Sequence, residues 1–142
     1  LVKIAYSLKK PVLMIGVGKL KNQMAQLAKE LDVDLTLLGY VKNPWSKLLP
    51  GDLLVVPSLF EGDGLVAIEA IANFVPLIVS DIPSFRLLNL NENQYATTIA
   101  DFISKIDLFK NLLDFKPTPK VHQQILAERD PLVIYRKWKE LF

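Results

Sequence analysis

One stretch, residues 53–81, constrains what this chain can fold into more than any other. It opens with an uninterrupted apolar run closed by a proline, as expected for a strand covered on both faces. A loop with two glycines comes next, then apolar residues at helical spacing, then a second apolar run introduced by a proline. The stretch therefore predicts two buried strands joined by a helix. The strands fall at residues 53–56 and 77–80, and the helix at residues 65–73.

The preceding part of the chain shows the same alternation of buried strands and helices. Apolar runs at residues 11–16 and 35–38 predict two more strands, and residues 20–31 have the amphipathic pattern of a surface helix. Asn43 and Pro44 predict the start of another helix. This order indicates an α/β fold, a Rossmann-like parallel sheet of about four strands flanked by helices.

The C-terminal third is dominated by helical spacing. We expect helices at residues 95–106 and 108–115, a proline-containing linker at residues 116–119 and a helical tail at residues 121–142. We expect the tail to be interrupted at Pro131. The chain is thus predicted to be a single domain over residues 1–142, with a Rossmann-like core at 1–115 and a helical C-terminal segment at 116–142.

Composition excludes several kinds of function. The 142 residues carry a formal net charge of only +2, so there is no electrostatic basis for nucleic-acid binding. The chain has no cysteine, which excludes disulfides and thiolate metal ligands. No apolar run approaches the roughly 18 residues that a membrane span needs, and no signal peptide is visible. We therefore expect a cytoplasmic protein, with contact at the membrane periphery as its only membrane association.

Four loops are expected at the sheet edge where ligands bind, because each follows the carboxyl end of a predicted strand. The third of these, residues 58–64, leads directly into a helix. Loop amides at a helix N-terminus favour anions, since their N–H groups and the helix dipole both attract negative charge. This loop therefore predicts a phosphate site, and a tight strand-to-helix turn without a ligand is the alternative explanation for its glycines. The other three loops are residues 16–18, 39–41 and 81–86.

Two glutamates mark this loop and the helix after it. Glu61 lies in the loop, and Glu69 lies in the second turn of the helix among apolar neighbours. A carboxylate at Glu69 can accept hydrogen bonds from two adjacent hydroxyls, such as those of a ribose. A solvated helix residue is the simpler explanation, but an unpartnered carboxylate among apolar residues costs several kcal/mol of desolvation. We therefore expect Glu69 to be partnered or functional.

Other residues give weaker evidence for a binding or catalytic site. Gly16 and Gly18 lack the third glycine of a dinucleotide fingerprint, which makes a nicotinamide cofactor improbable. His122 is the only histidine and sits among polar residues, so a surface position explains it. The two tryptophans are expected to be packing residues. Phosphate-binding cations and ordinary surface charges are equally good explanations for Lys19, Lys42 and Arg86.

The 57–81 block resembles the C-terminal domain of GT-B glycosyltransferases of family 4. The segment EGDGLVAIE contains that family's pair of glutamates eight positions apart, preceded by Pro57 and Ser58 and followed by the strand segment PLIVSD. The strand that ends at Gly16 and the LLGYV segment also fit. The resemblance is good over residues 12–81 and faint beyond Arg86.

The resemblance implies transfer of a sugar from a nucleotide diphospho-sugar, with retention of anomeric configuration and without an essential metal or other cofactor. It makes Glu61 the catalytic residue, in contact with the donor sugar, and assigns the ribose hydroxyls to Glu69. It places the loop amides at the sugar and diphosphate and the backbone near Val41 at the base. The complete set of implied donor-binding residues is Gly16, Val41, Ser58, Glu61, Gly62, Asp63, Gly64, Leu65 and Glu69.

Several features depart from the family pattern. The family's first strand in this domain carries an arginine and the next loop a lysine, both of which contact the diphosphate, and this chain starts after them. Residues 82–86 (IPSFR) replace a diglycine and a Pro-Glu pair, and the later short strand of the family is expected to be deleted. We expect the acceptor-binding N-terminal domain to lie outside these residues. We expect the isolated chain to bind donor weakly and to transfer nothing unless that domain is supplied in cis or in trans.

Two other functions stay open at this point. A non-catalytic Rossmann-like interaction module is favoured by the missing basic pair and disfavoured by the intact glutamate loop. A nucleotide-sugar epimerase shares the architecture, but no residue pattern supports it. The acceptor, whether sugar, lipid or protein, is not encoded in these residues.

Overall fold

The computed structural model describes residues 1–109 and 118–130, and all structural statements below refer to these residues. Helices and strands alternate along the chain, with two additional 3₁₀ turns at Pro44–Lys47 and Glu92–Gln94. The strands are β1 (Val12–Ile15), β2 (Leu35–Gly39), β3 (Leu54–Val56), β4 (Leu77–Ser80) and β5 (Tyr95–Ala96). The helices are α1 (Val2–Leu8), α2 (Lys21–Glu30), α3 (Leu65–Ala72), α4 (Pro83–Arg86), α5 (Ile99–Phe109) and α6 (Pro119–Glu128).

The strands form two hydrogen-bonded sheets. One sheet consists of β1 and β2, and the other has the order β3-β4-β5. Every pairing is parallel. The predicted α/β class with parallel strands flanked by helices is therefore confirmed, but the described strands are divided between two sheets where a single sheet was expected.

Strand β4 is the centre of the larger sheet and separates two hydrophobic clusters. Successive residues of a strand point to opposite faces. Leu77 and Val79 pack on one face with α3 and Phe85, whereas Ile78 packs on the other face with α1 and α5. All three strand residues have no exposed surface. The continuous apolar run in the sequence is explained by helices covering both faces.

Strand β5 contradicts two expectations from the sequence. Tyr95 was predicted to begin a helix, and the later short strand of the family was expected to be deleted, yet Tyr95 and Ala96 pair with the end of β4. The helix begins only at Ile99, because the Thr98 hydroxyl accepts a hydrogen bond from the Asp101 amide (3.1 Å) and caps it. A buried side chain anchors the segment, since the Gln94 amide donates to the Leu77 carbonyl (3.1 Å).

Three further segments differ from the predictions or lie outside the described residues. The helix expected from Asn43 is a single 3₁₀ turn, Pro44–Lys47. Pro119 is the first residue of α6 and not the end of a linker, because the Thr118 hydroxyl caps that helix. The helix expected at 108–115, the boundary at 115/116 and the tail after residue 130 fall largely or wholly outside the described residues. No helix in the described part is long and apolar enough to cross a membrane.

Candidate functional site

The loop after β3 is held by a short hydrogen bond between two of the predicted site residues. The Ser58 hydroxyl donates to Glu61 Oε1 at 2.7 Å, and both side chains are half-buried. This contact orients the Glu61 carboxylate and leaves Oε2 able to accept another hydrogen bond. The loop therefore presents a positioned carboxylate at the carboxyl end of β3.

Two glycines of this loop have different roles. Gly64 has a left-handed backbone (φ +63°), and a Cβ there would lie 2.6 Å from the ring of Phe85, which is fully buried. Gly62 has no neighbouring atom within 4 Å of such a Cβ. Gly64 is thus required by the fold itself, because its hydrogen makes room for Phe85. Only Gly62 has the open surroundings that close approach by a ligand needs.

Helix α3 begins at this loop without a side-chain cap. Gly64 is its N-cap residue, and the helix has no acidic residue in its first turn. The Gly64 carbonyl accepts the amides of Ala67 and Ile68, so the intrahelical ladder starts with those residues. The amides of Leu65 and Val66 precede this ladder and have no partner within the helix. They are the donors that the anion site predicted from the sequence would use.

Glu69 is partnered, as expected, but it is not surrounded by apolar side chains. Its side chain is exposed on the face of α3 opposite the buried Ala67, Ile68, Ala70 and Ile71. The desolvation argument for this carboxylate was therefore wrong. Its partner is Trp45, whose indole Nε1–H donates to Oε2 of Glu69 at 3.2 Å. Trp45 also packs against the core cluster, as predicted, so it holds the carboxylate from a fixed position.

A groove brings three of the predicted site residues together. Gly16, Val41 and Glu69 line a cavity of about 890 Å³ that runs between the two sheets, and Trp45 and Val66 line it with them. The remaining predicted residues form the loop and the start of α3. Leu65, at the start of α3, lies four residues before Glu69 on the same exposed helix face. The loop residues are therefore adjacent to the groove-lining residues.

The cations near this edge differ in exposure and in their acidic partners. Lys19 and Lys42 are exposed. The guanidinium of Arg86 is occupied, since its Nε and Nη2 donate to the two oxygens of Asp81 (2.5 and 2.7 Å) and its Nη1 donates to Glu92 (2.6 Å). Arg86 hydrogen bonds hold the pKa of Asp81 below its ordinary value of 3.8. Arg86 therefore serves the fold, and its charge is already balanced.

Arg129 was not recognised from the sequence as part of the site. It forms a bidentate ion pair with Asp63, with Nη2 2.7 Å from Oδ1 and Nη1 closer still to Oδ2. These hydrogen bonds lower the pKa of Asp63. The pair ties the end of α6 to the loop across 66 positions of sequence, a separation at which spacing gives no signal. The Asp63 side chain is therefore directed to α6 and is already paired there.

His122 also makes more contacts with the rest of the fold than the predicted surface position implied. Its ring stacks on Phe74 with 3.9 Å between centroids, and Nε2 lies 3.1 Å from the Ala72 carbonyl oxygen at the end of α3. It joins α6 to α3 and takes no part in the site. Among the described residues there is also no group of three acidic or histidine side chains arranged to hold a metal.

Comparison with known protein families assigns most of the chain to one family. Residues 3–113 match the family "Glycosyl transferases group 1". The chain belongs to this family. The matched range contains all the predicted site residues, from Gly16 to Glu69.

Named relatives in this family are glycosyltransferases. The chain is 31% identical over 137 residues to a poly(ribitol-phosphate) alpha-N-acetylglucosaminyltransferase of Staphylococcus aureus. That alignment covers 89% of this chain and 28% of the relative. It is also 31% identical over 72 residues to an N-acetylgalactosamine-N,N'-diacetylbacillosaminyl-diphospho-undecaprenol 4-alpha-N-acetylgalactosaminyltransferase of Campylobacter jejuni, covering 49% of this chain and 20% of that enzyme. The chain thus spans less than a third of the length of these relatives.

Solved structures show the same architecture. A mutant of S. aureus TarM, in complex with Fondaparinux, alpha-GlcNAc-glycerol and UDP, superimposes with a TM-score of 0.82 at 25% identity. It matches 99% of this chain and 31% of its own. The catalytic domain of a cholesterol-alpha-glucosyltransferase from Helicobacter pylori gives a TM-score of 0.71 at 20% identity, over 89% of this chain and 87% of its own. Both superpositions cover most of this chain, and the fold assignment is confirmed.

Proposed function

We propose that this chain is the donor-binding part of a retaining GT-B glycosyltransferase of family 4, which binds a nucleotide diphospho-sugar. The observation that carries the proposal is the uncapped N-terminus of α3, flanked by the positioned carboxylates of Glu61 and Glu69. Family membership and the named relatives support transfer chemistry over a non-catalytic interaction module. The UDP in the S. aureus complex makes UDP-sugars the first donors to test.

The diphosphate would bind at the start of α3. The amides of Gly62, Asp63, Gly64 and Leu65 would face it, and the dipole of α3 would add partial positive charge. When the sugar–phosphate bond breaks, negative charge grows on the leaving diphosphate. Preorganised N–H dipoles stabilise that charge without a metal ion, and we propose none.

The two glutamates would bind the two ends of the donor. Glu61, oriented by Ser58, would contact the donor sugar as the catalytic residue. Glu69 would accept hydrogen bonds from the ribose hydroxyls, because Trp45 occupies only one of its two oxygens. Gly16 and Val41 line the same groove as Glu69 and would contact the base through their backbone. The acceptor would be held by an N-terminal GT-B domain, joined in cis or supplied in trans.

Isothermal titration calorimetry with UDP, GDP, ADP and their sugar conjugates tests this proposal. We expect saturable binding of one nucleotide and a loss of affinity of about tenfold or more in Glu69→Ala, since hydrogen bonds to a charged group contribute about 1.5–3 kcal/mol. Glu30→Ala is the matched control, because Glu30 is also an exposed helical glutamate and lies outside the groove.

Glu30→Ala should bind as the unchanged chain does. The proposed site would be wrong if the folded chain bound no nucleotide at all, or if Glu69→Ala and Glu30→Ala bound it equally well. Circular dichroism of each variant separates lost binding from lost folding.

A further inference from the structure

The loop between β3 and α3, residues 57–63, makes few contacts with the rest of the fold. No backbone–backbone hydrogen bond joins these residues to any other part of the chain that the structure describes. The side chains at its tip do not pack, since Leu59 and Phe60 are 96% and 85% exposed. The hydrogen bond from Ser58 to Glu61 is internal to the loop. The backbone of this loop therefore depends on a side-chain contact with another element to fix its position.

Arg129 provides that contact. Within the described part of the chain, it makes the only hydrogen bonds that leave the loop. Its guanidinium donates to both carboxylate oxygens of Asp63, with Nη2 2.7 Å from Oδ1. A bidentate pair of this kind fixes orientation as well as distance. Asp63 is thus held through its side chain, and the next residue, Gly64, is held by its close approach to Phe85.

Helix α6 is a firm support for Arg129. It runs along α3 in the opposite direction, because His122 near its start contacts the Ala72 carbonyl at the end of α3, and Arg129 after its last turn contacts Asp63 just before α3 begins. Between these two points Ile125 is buried in the core cluster with α3. The helix is therefore anchored at its start and in its middle, and its end can hold the loop in a fixed place.

We propose that Arg129 is a positioning residue for the donor site, which holds the amides of Gly62 and Asp63 in place from α6 through the Asp63 side chain. This role rests on the proposed function, since those amides are among the groups that would face the diphosphate. N–H dipoles that are fixed before the ligand arrives bind an anion more tightly than mobile ones, because less order has to be imposed on binding.

The effect is expected to be local. The Arg129 and Asp63 side chains are 38% and 54% exposed, and ion pairs in such surroundings contribute little to global stability. The family match ends at residue 113, before α6 begins, so Arg129 lies outside the matched region. Helix α6 would therefore influence donor binding without supplying any group that contacts the donor.

Backbone ¹⁵N relaxation of the 142-residue chain, measured without nucleotide, tests the positioning directly. The order parameters of Gly62 and Asp63 should be close to about 0.85 in the unchanged chain and should fall below about 0.6 in Arg129→Ala. Arg129→Lys should give intermediate values, because an ammonium group cannot make the bidentate pair. The matched control is Lys120→Ala, which removes one positive charge from the exposed start of the same helix and should leave the loop unchanged.

Asp63→Ala breaks the pair from the loop side and leaves α6 unaltered. It should raise loop mobility as Arg129→Ala does, which keeps the test decisive if Arg129→Ala loosens α6. The nuclear Overhauser contact between the rings of His122 and Phe74 reports in each variant whether α6 is still docked on α3.

Calorimetric titration with UDP, GDP and ADP tests the consequence for binding. Arg129→Ala and Asp63→Ala should both raise the Kd of the nucleotide that binds by about threefold to tenfold, since both release the loop. A role in charge balance alone predicts opposite effects, because Asp63→Ala would leave the Arg129 charge unpaired and tighten binding of an anion. Lys120→Ala should bind as the unchanged chain does.

The possible failures are distinguishable. Equal order parameters in the unchanged chain and Arg129→Ala would overturn the positioning role alone, and so would tighter nucleotide binding by Asp63→Ala or unaltered binding by Arg129→Ala. Binding of none of the three nucleotides by the folded, unchanged chain would overturn the proposed function and the positioning role together.

Discussion

The two sheets of this protein contain strands of similar composition in very different surroundings. β4 (LIVS) and β1 (VLMI) are both short, apolar and parallel. Leu77, Ile78 and Val79 of β4 are 0% exposed, whereas Leu13 of β1 is 39% exposed. The difference arises because β4 has a strand on each side and helices over both faces. Among the described residues β1 pairs only with β2, and it borders the open groove. Apolar composition predicts a strand, but the number of its neighbours determines its burial.

The largest expected effect compares equivalent truncations in the two sheets. Ile78→Ala should lower the free energy of unfolding by about 2–5 kcal/mol, because it leaves a cavity between β4, α1 and α5. Leu13→Ala should lower it by about 1 kcal/mol or less, since that side chain is partly in water already. Urea unfolding followed by circular dichroism measures both. Equal losses would show that β1 is as well packed as β4, contrary to the structure.

A second, smaller effect compares two glycines with nearly the same backbone angle, one at the end of β2 and one immediately before α3. Gly39 has φ +69° with open space around it, and Gly64 has φ +63° against the ring of Phe85. Gly39→Ala should destabilise the protein by about 1–2 kcal/mol, from the left-handed conformation alone. Gly64→Ala should cost about 2–4 kcal/mol, because overpacking against a buried ring is added.

Unfolding of both glycine variants in urea checks this difference. Gly64→Ala with Phe85→Leu should recover part of the loss, since the smaller side chain makes room for the methyl group. Equal losses for the two single variants, or no recovery in the double variant, would contradict a packing role for Gly64.

The smallest effect concerns the ion pair at the end of β4. Arg86 lowers the pKa of Asp81 below 3.8, so its stabilising contribution is fully present above that value and is lost as pH falls through the lowered pKa. Asp81→Asn should therefore reduce stability at pH 6 and reduce it less at pH 2. Urea midpoints of both chains across this range, at constant salt, test the sign. A difference that grew on acidification would contradict it.

Much of the fold could be predicted from local patterns in the sequence. Apart from the 3₁₀ turn at Pro44–Lys47, strand and helix positions up to residue 80 agree with apolar runs and helical spacing, because both reflect short-range geometry. The errors occur where a distant contact overrides local propensity. Tyr95 and Ala96 have helical neighbours in sequence but pair with β4, and the Gln94 side chain anchors them to the Leu77 carbonyl. The exposure of Glu69 was misjudged because helix composition does not show which residues face outward.

The sequence by itself determined the order of the first four strands, the glycine loop and the two glutamates that led to the glycosyltransferase family. Those features depend on residues within a few positions of one another. Only the tertiary structure decided that Trp45 holds Glu69, that Arg129 holds Asp63, and that the strands leave an apolar groove between them. The partners in these contacts lie 24 and 66 positions apart, and chain folding, which no local pattern encodes, brings them together.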